Sequence, residues 1–198
     1  MKRLLRSATI ALAIGLSGCS GLLGGGGKAP VTLVTLTPEI GEPAQIARTA
    51  SAAQAVTIMT PVVSRELHTV RVPVQVNQVD VQYVTNLTLA DSPDRLFADL
   101  VSETIRRTTN RVVLDSRQAS LDPGLTVSGV LQRFGYDAAT RSVIVQYDAS
   151  LAAAGADRVE ARRFTASIPA DGTAATVGPA LNRAANQVAQ DVAKWIGG

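Results

Sequence analysis

Three places in this chain carry residue types that could do covalent or acid–base chemistry: Cys19, His68, and the carboxylates Asp91 and Asp94. A cysteine reacts as its thiolate, a strong nucleophile able to take up an acyl or alkyl group. Cys19 is the only cysteine in the sequence, so no intramolecular disulfide explains it. Small residues, Ser17 and Gly18, precede it and would let a protease approach the Gly18–Cys19 bond. His68 is the only histidine, so any Ser-His-Asp triad or histidine metal cluster would have to be built around it. It lies between Glu66 and Thr69 in a strand-like stretch and reads as a surface side chain. There is no Gly-x-Ser-x-Gly elbow and no phosphate-binding glycine loop before a helix. Asp91 and Asp94 flank Ser92-Pro93, where helix-start chemistry accounts for them. The residues predict no catalytic site, no metal and no cofactor.

The elements around Cys19 give its chemistry a direction. Lys2, Arg3 and Arg6 open the chain, and Ala8 to Leu16 is a short apolar run. A basic start, an apolar middle and small residues at a cut site are the anatomy of an export signal. The run is too short to span a bilayer, which takes about 20 residues. Leu16-Ser17-Gly18-Cys19 resembles the bacterial lipobox, in which the thiol is diacylglycerated, the preceding bond cut and the new amino group acylated, with palmitate for example. Residues 1–18 are thus expected to be a lipoprotein signal peptide, and 19–29 the lipidated cysteine with a linker. Gly24 to Gly27 gives that linker the composition of a flexible tether. Two or more acyl chains anchor stably where one is marginal. Ser20 is not the aspartate that favours inner-membrane retention in many Gram-negative lipoproteins, so the expected address is the periplasmic face of the outer membrane.

Removing the signal also changes the charge balance. The full chain has 19 basic and 16 acidic residues, and losing Lys2, Arg3 and Arg6 leaves 16 against 16. A basic patch for nucleic acid loses its support. With no second cysteine, the fold must rest on a hydrophobic core even in an oxidising compartment.

From residue 30 to 198 the pattern predicts one α+β domain, an antiparallel or mixed sheet packed by two amphipathic helices. Strands are expected at Val31–Thr37, Ala55–Thr60 and within Leu67–Leu89, with a turn at Asn77-Gln78. Val70, Val72, Val74 and Val76 share one face, and Pro73 predicts an edge strand or an irregularity. Ser92-Pro93-Asp94 predicts a helix start with Ser92 as cap, and Leu96, Phe97, Leu100, Val101 and Ile105 form its apolar stripe. Arg111–Leu114, Leu125–Tyr136, Ser142–Leu151 and Arg158–Ile168 are the later strands. In the third of these, Val143, Val145, Tyr147, Ala149 and Leu151 are expected on one face, while Ser142, Gln146, Asp148 and Ser150 share the wet one, with Ile144 as the exception. Arg162-Arg163 reads as a solvated strand face. A last helix, Ala174–Ile196, has the stripe Leu181, Ala185, Val188, Val192 and Trp195, with Asn182, Arg183, Asn186, Gln190 and Lys194 facing elsewhere.

The lipobox with its short linker, the early strand, Tyr83, the approach Leu89-Ala90-Asp91-Ser92-Pro93, the Leu125–Phe134 strand and the C-terminal helix together resemble a known family. It is that of the ABC-type transport auxiliary lipoproteins, which includes the lipoprotein of the paraquat-inducible intermembrane transport system. Leu89 stands where relatives often carry tryptophan, and the usual early tyrosine is missing near Leu33 and Leu36. The resemblance implies a non-enzymatic docking role beside an inner-membrane permease, its ATPase and an MCE-domain substrate-binding protein. Such systems move lipids or other hydrophobic molecules between the two membranes, and relatives suggest ring-like homo-oligomers. An envelope assembly or chaperone lipoprotein is the alternative, and a lipid-anchored hydrolase using His68 a more distant one.

Overall fold

The computed structural model describes residues 32–42, 55–114, 124–153, 155 and 158–197. The expected signal peptide, Gly18, Cys19, Ser20 and the glycine-rich linker lie outside them. The described residues form a mixed sheet of nine strands and two helices, an α+β fold. In chain order these are β1 (Leu33–Val34), β2 (Ala55–Ile58), β3 (Val62–Val63), β4 (Arg71–Gln75), β5 (Val81–Leu89), α1 (Pro93–Thr108), β6 (Val112–Leu114), β7 (Leu125–Asp137), β8 (Ser142–Ala153), β9 (Val159–Pro169) and α2 (Ala174–Gly197). A 3₁₀ turn, Arg65–Leu67, links β3 to β4.

The sheet is built around β7. Along one edge it pairs antiparallel with β8, which pairs antiparallel with β9. Its other edge is shared by three short parallel strands in succession: β2 against Leu125–Val127, β3 against Val130–Leu131 and β4 against Tyr136–Asp137. β6 adds to β2, β5 to β4 and β1 to β5. A bulge between Leu131 and Arg133 switches which residues of β7 face the core. Val127 and Leu131 point inward before it, Phe134 and Tyr136 after it.

Both helices supply the core. All five residues of the expected α1 stripe are buried, as are Leu181, Ala185, Val188 and Val192 of α2. Val143, Val145, Tyr147 and Ala149 of β8 meet them from the sheet. The opposite sheet face is polar, with Arg163 holding Asp148 through two hydrogen bonds of 2.6 and 2.7 Å. That guanidinium holds the Asp148 carboxyl below the usual carboxylate range.

Several expectations change. The first strand is only two residues long, although Leu36 beyond it is buried. β4 is internal, so Pro73 marks the irregularity and not an edge: the β4–β5 register shifts between Arg71 and Pro73. The β7 pairing begins only at Val74, so the missing Pro73 donor is not called on there. Gly135 lets the two strands meet, because a Cβ there would lie 2.4 Å from the Pro73 carbonyl oxygen. Of the four valines expected on one face, only Val72 is fully buried; Val70 and Val76 are exposed. Ser142 is buried, its hydroxyl donating to the Thr140 carbonyl at 3.1 Å. Ser92 does occupy the α1 cap position, but its side chain makes no capping bond; its carbonyl accepts from Leu96 N–H instead.

The start of α2 carries a pH-sensitive cap. Asp171 Oδ1 accepts from Thr173 N–H at 2.9 Å, from the Thr173 hydroxyl at 2.7 Å, and from the Thr176 hydroxyl. Hydrogen bonds from Thr176 and then Thr173 lower its pKa from 3.8 to about 2. A depressed carboxylate stabilises the fold fully above its unfolded value and loses that contribution as pH falls through the folded one. Carboxyl-carbon NMR of Asp171 is therefore expected to titrate near 2. In an Asp171→Asn variant, the part of the acid-induced stability loss between 3.8 and about 2 that belongs to this group should vanish. A midpoint at the ordinary aspartate value would refute the cap.

Candidate functional site

The described residues bring no catalytic constellation together. His68 is exposed at the end of the 3₁₀ turn. Asp91 Oδ1 accepts from Ser92 N–H at 2.7 Å, and its carboxylate lies 3.6 Å from Arg95, an exposed pair one helical turn apart. Among the described residues no group of His, Cys, Asp or Glu side chains could hold a metal. No helix among them is long and apolar enough to cross a membrane.

What the structure does assemble is a fastening for the start of the domain. Residues 37–42 run as a strap, held by side chains of both helices. Asn182 and Asn186 are one turn apart on α2 and face the same side. Asn182 Oδ1 accepts from Thr37 N–H at 2.8 Å. Asn186 Oδ1 accepts from Glu39 N–H at 2.9 Å, while its Nδ2 donates to the Thr37 carbonyl at 2.9 Å and to the Asn182 carbonyl at 2.9 Å. From α1, Arg107 Nη1 donates to the Ile40 carbonyl at 2.7 Å. The same guanidinium pairs with Glu42 at 3.2 Å and Glu103 at 2.7 Å. Its bond from Arg107 is the main reason the Glu103 carboxyl sits below its ordinary value, with burial opposing.

This arrangement corrects the sequence reading of Asn186, which is buried at 1% exposure and not on the outer face of α2. A carboxamide carries a separate donor nitrogen and acceptor oxygen, so it can pair with a backbone N–H and a backbone carbonyl at once, and here it takes the place of a strand partner for the backbone of the strap. The only sequence signal was an i, i+4 asparagine pair beside an apolar stripe. Trp195 is half-buried and packs at the margin of the core, against Phe164 with ring centroids 5.5 Å apart and under Arg162 at 5.5 Å. Arg162 and Arg163 therefore serve opposite faces of β9, one over an aromatic ring and one in the polar sheet surface.

A mixed sheet covered on one face by two helices, with residues 37–42 strapped across both, defines the class of domain. The described residues thus frame an α+β module with no assembled catalytic cluster. The family model for the ABC-type transport auxiliary lipoprotein component matches residues 35–193, and the chain belongs to that family. None of the curated proteins matches the sequence. The chain is similar in fold to the crystal structure of a Xanthomonas campestris protein assigned to family DUF330. That likeness has a TM-score of 0.70 at 17% identity, covering 84% of this chain and 95% of the other. A second solved structure, of an uncharacterized protein, is similar with a TM-score of 0.54 at 14% identity, covering 77% of this chain and 95% of that one. The family is a transport auxiliary component and not an enzyme class, and a lipoprotein family implies association with the cell envelope.

Proposed function

We propose that this protein is the lipid-anchored docking component of an MCE-type ABC transport system that moves lipids or other hydrophobic molecules between the inner and outer membranes. Residues 1–18 are removed, Cys19 carries the diacylglycerol and N-acyl chains, and residues 30–198 form the docking domain on the periplasmic face of the outer membrane. Its partners are the MCE-domain substrate-binding protein and, through it, the permease and ATPase, with several copies of the chain set in a ring. The observation that carries this reading is the family match across nearly all of the folded domain. Support comes from the solitary cysteine in a lipobox-like context and from a strap that ties the anchored end into both helices.

The test is affinity capture of the full-length lipoprotein from detergent-solubilised envelope. Co-purification of an MCE-domain protein is expected, with mass spectrometry finding the acyl groups on Cys19. Capture of only a barrel-assembly or lipopolysaccharide-assembly machine would instead establish the assembly-lipoprotein reading.

A further inference from the structure

We infer that the free edge of β9 pairs antiparallel with β9 of a second copy of this chain, about a two-fold axis at Ala161, so that two sheets become one. The edge is long and open. β9 pairs with β8 alone, in a register unbroken from Val159 to Pro169. Among the described residues, the other strands paired on one side only are two or three residues long: β1, β3 and β6. Edge strands as long as β9 are normally interrupted by a bulge or guarded by lysine. β9 has neither, its proline stands last, and the charge of its Arg163 is balanced across the ladder by Asp148.

The ladder shows which backbone groups are free. Ala170 N–H donates to the Arg141 carbonyl at 3.1 Å, one step past the Ser142–Pro169 pair. Hydrogen-bonded pairs alternate along an antiparallel ladder, so the even-numbered residues of β9 turn their N–H and carbonyl groups towards β8. The odd-numbered ones, Val159, Ala161, Arg163, Thr165 and Ser167, turn theirs outward. Pro169 falls in the outward set, where its missing donor is not called on. Charge then selects both the occupant and the register. Glu160 and Arg162 are exposed and flank Ala161 on one face of the strand. An axis at Ala161 sets Glu160 of each copy opposite Arg162 of the other, in the closely spaced kind of pair where side chains meet. The Arg162 guanidinium already lies over Trp195 at 5.5 Å, a stacked position that leaves its N–H edge for a carboxylate. On the polar face Val159, 64% exposed, falls opposite Arg163 of the other copy and is covered by its aliphatic stem. An axis moved to Arg163 would set two guanidinium groups directly against each other. A two-fold contact closes on itself, so it is separate from the ring proposed above, which needs a head-to-tail contact.

The experiment compares the full chain, purified in detergent, with two charge reversals by light scattering. Glu160→Arg and Arg162→Glu each set like charges against each other across the axis, and each variant is expected to run at half the protein mass of the wild type. Mixed together, the two variants present complementary charges again and are expected to regain the wild-type mass, which misfolded chains would not do. Amide exchange reads the register: the N–H groups of Ala161 and Arg163 should exchange about tenfold or more slowly in the wild type than in either variant, and those of Thr165 and Ser167 should not change. A wild type no heavier than the variants, or a mixture that stays at half mass, overturns the inference. So does protection at Ala161 and Arg163 that arises only when an envelope extract is added, which would put a foreign strand on this edge.

Discussion

Replacing Asn186 with alanine is expected to lower the stability of the domain by about 1–3 kcal/mol, because a part-buried backbone donor and acceptor each lose their carboxamide partner. The Glu39 N–H and the Thr37 carbonyl both depend on this side chain. Thr37 and Glu39 are themselves exposed while the Asn186 side chain beneath them is buried, so water can replace only part of what the strap loses. Amide exchange should therefore accelerate first at Glu39 and its neighbours, ahead of β7 and β8. Asn182→Ala should cost less, about 1 kcal/mol, since Asn182 lies nearer solvent and gives up one backbone bond. Equal exchange rates in the wild-type and Asn186→Ala strap would show that the clamp holds nothing.

Phe97→Ala is expected to be the most damaging single substitution in the core, lowering stability by about 3–5 kcal/mol. Phe97 is 0% exposed and meets Tyr147 edge-to-face, with centroids 5.1 Å apart. It joins α1 to the middle of β8, so the space it leaves is walled by sheet on one side and helix on the other and closes poorly. Denaturant unfolding followed by both fluorescence and circular dichroism measures the loss. A change below 1.5 kcal/mol, the range of a volume-conserving swap, would mean that the site collapses around the missing ring. Tyr147 offers a second readout: burial raises its phenol above the ordinary value. Water admitted beside it should bring that ionisation back down.

Much of this architecture was readable because local chemistry and burial agree. Pro93 at the first turn, Asp94 beside it and a stripe of large aliphatic residues mark α1 without ambiguity. Alternation from Val143 to Ala149, broken only by Ile144, marks β8 equally well, since it is the pattern of a half-buried antiparallel strand. The face of α2 was harder to read. Ala180, Ala184, Ala189 and Ala193 are all buried, yet alanine is as common on helix surfaces as inside. Its apolar arc is wide because the sheet, α1 and the strap all press on it, and Asn186 falls within that arc. Hydrophobicity cannot reveal a polar residue whose purpose is to serve someone else's backbone. The family likeness, by contrast, was legible from the order of elements and the proline-led helix start, and the match over residues 35–193 agrees with it.

The division of β7 among three short neighbours bears on how the chain reaches this state. β8 and β9 follow β7 directly, so that ladder closes between adjacent stretches of chain. β2, β3 and β4 must instead find a strand made well after them, and the price of closing those loops comes before any pairing rewards it. A polypeptide emerging amino-terminus first could close β4 on β5 early, but β2, β3 and β4 would keep one edge unpaired until residues 125–137 arrive. For the exported lipoprotein proposed above, that delay would hold the sheet open until the trailing half has crossed.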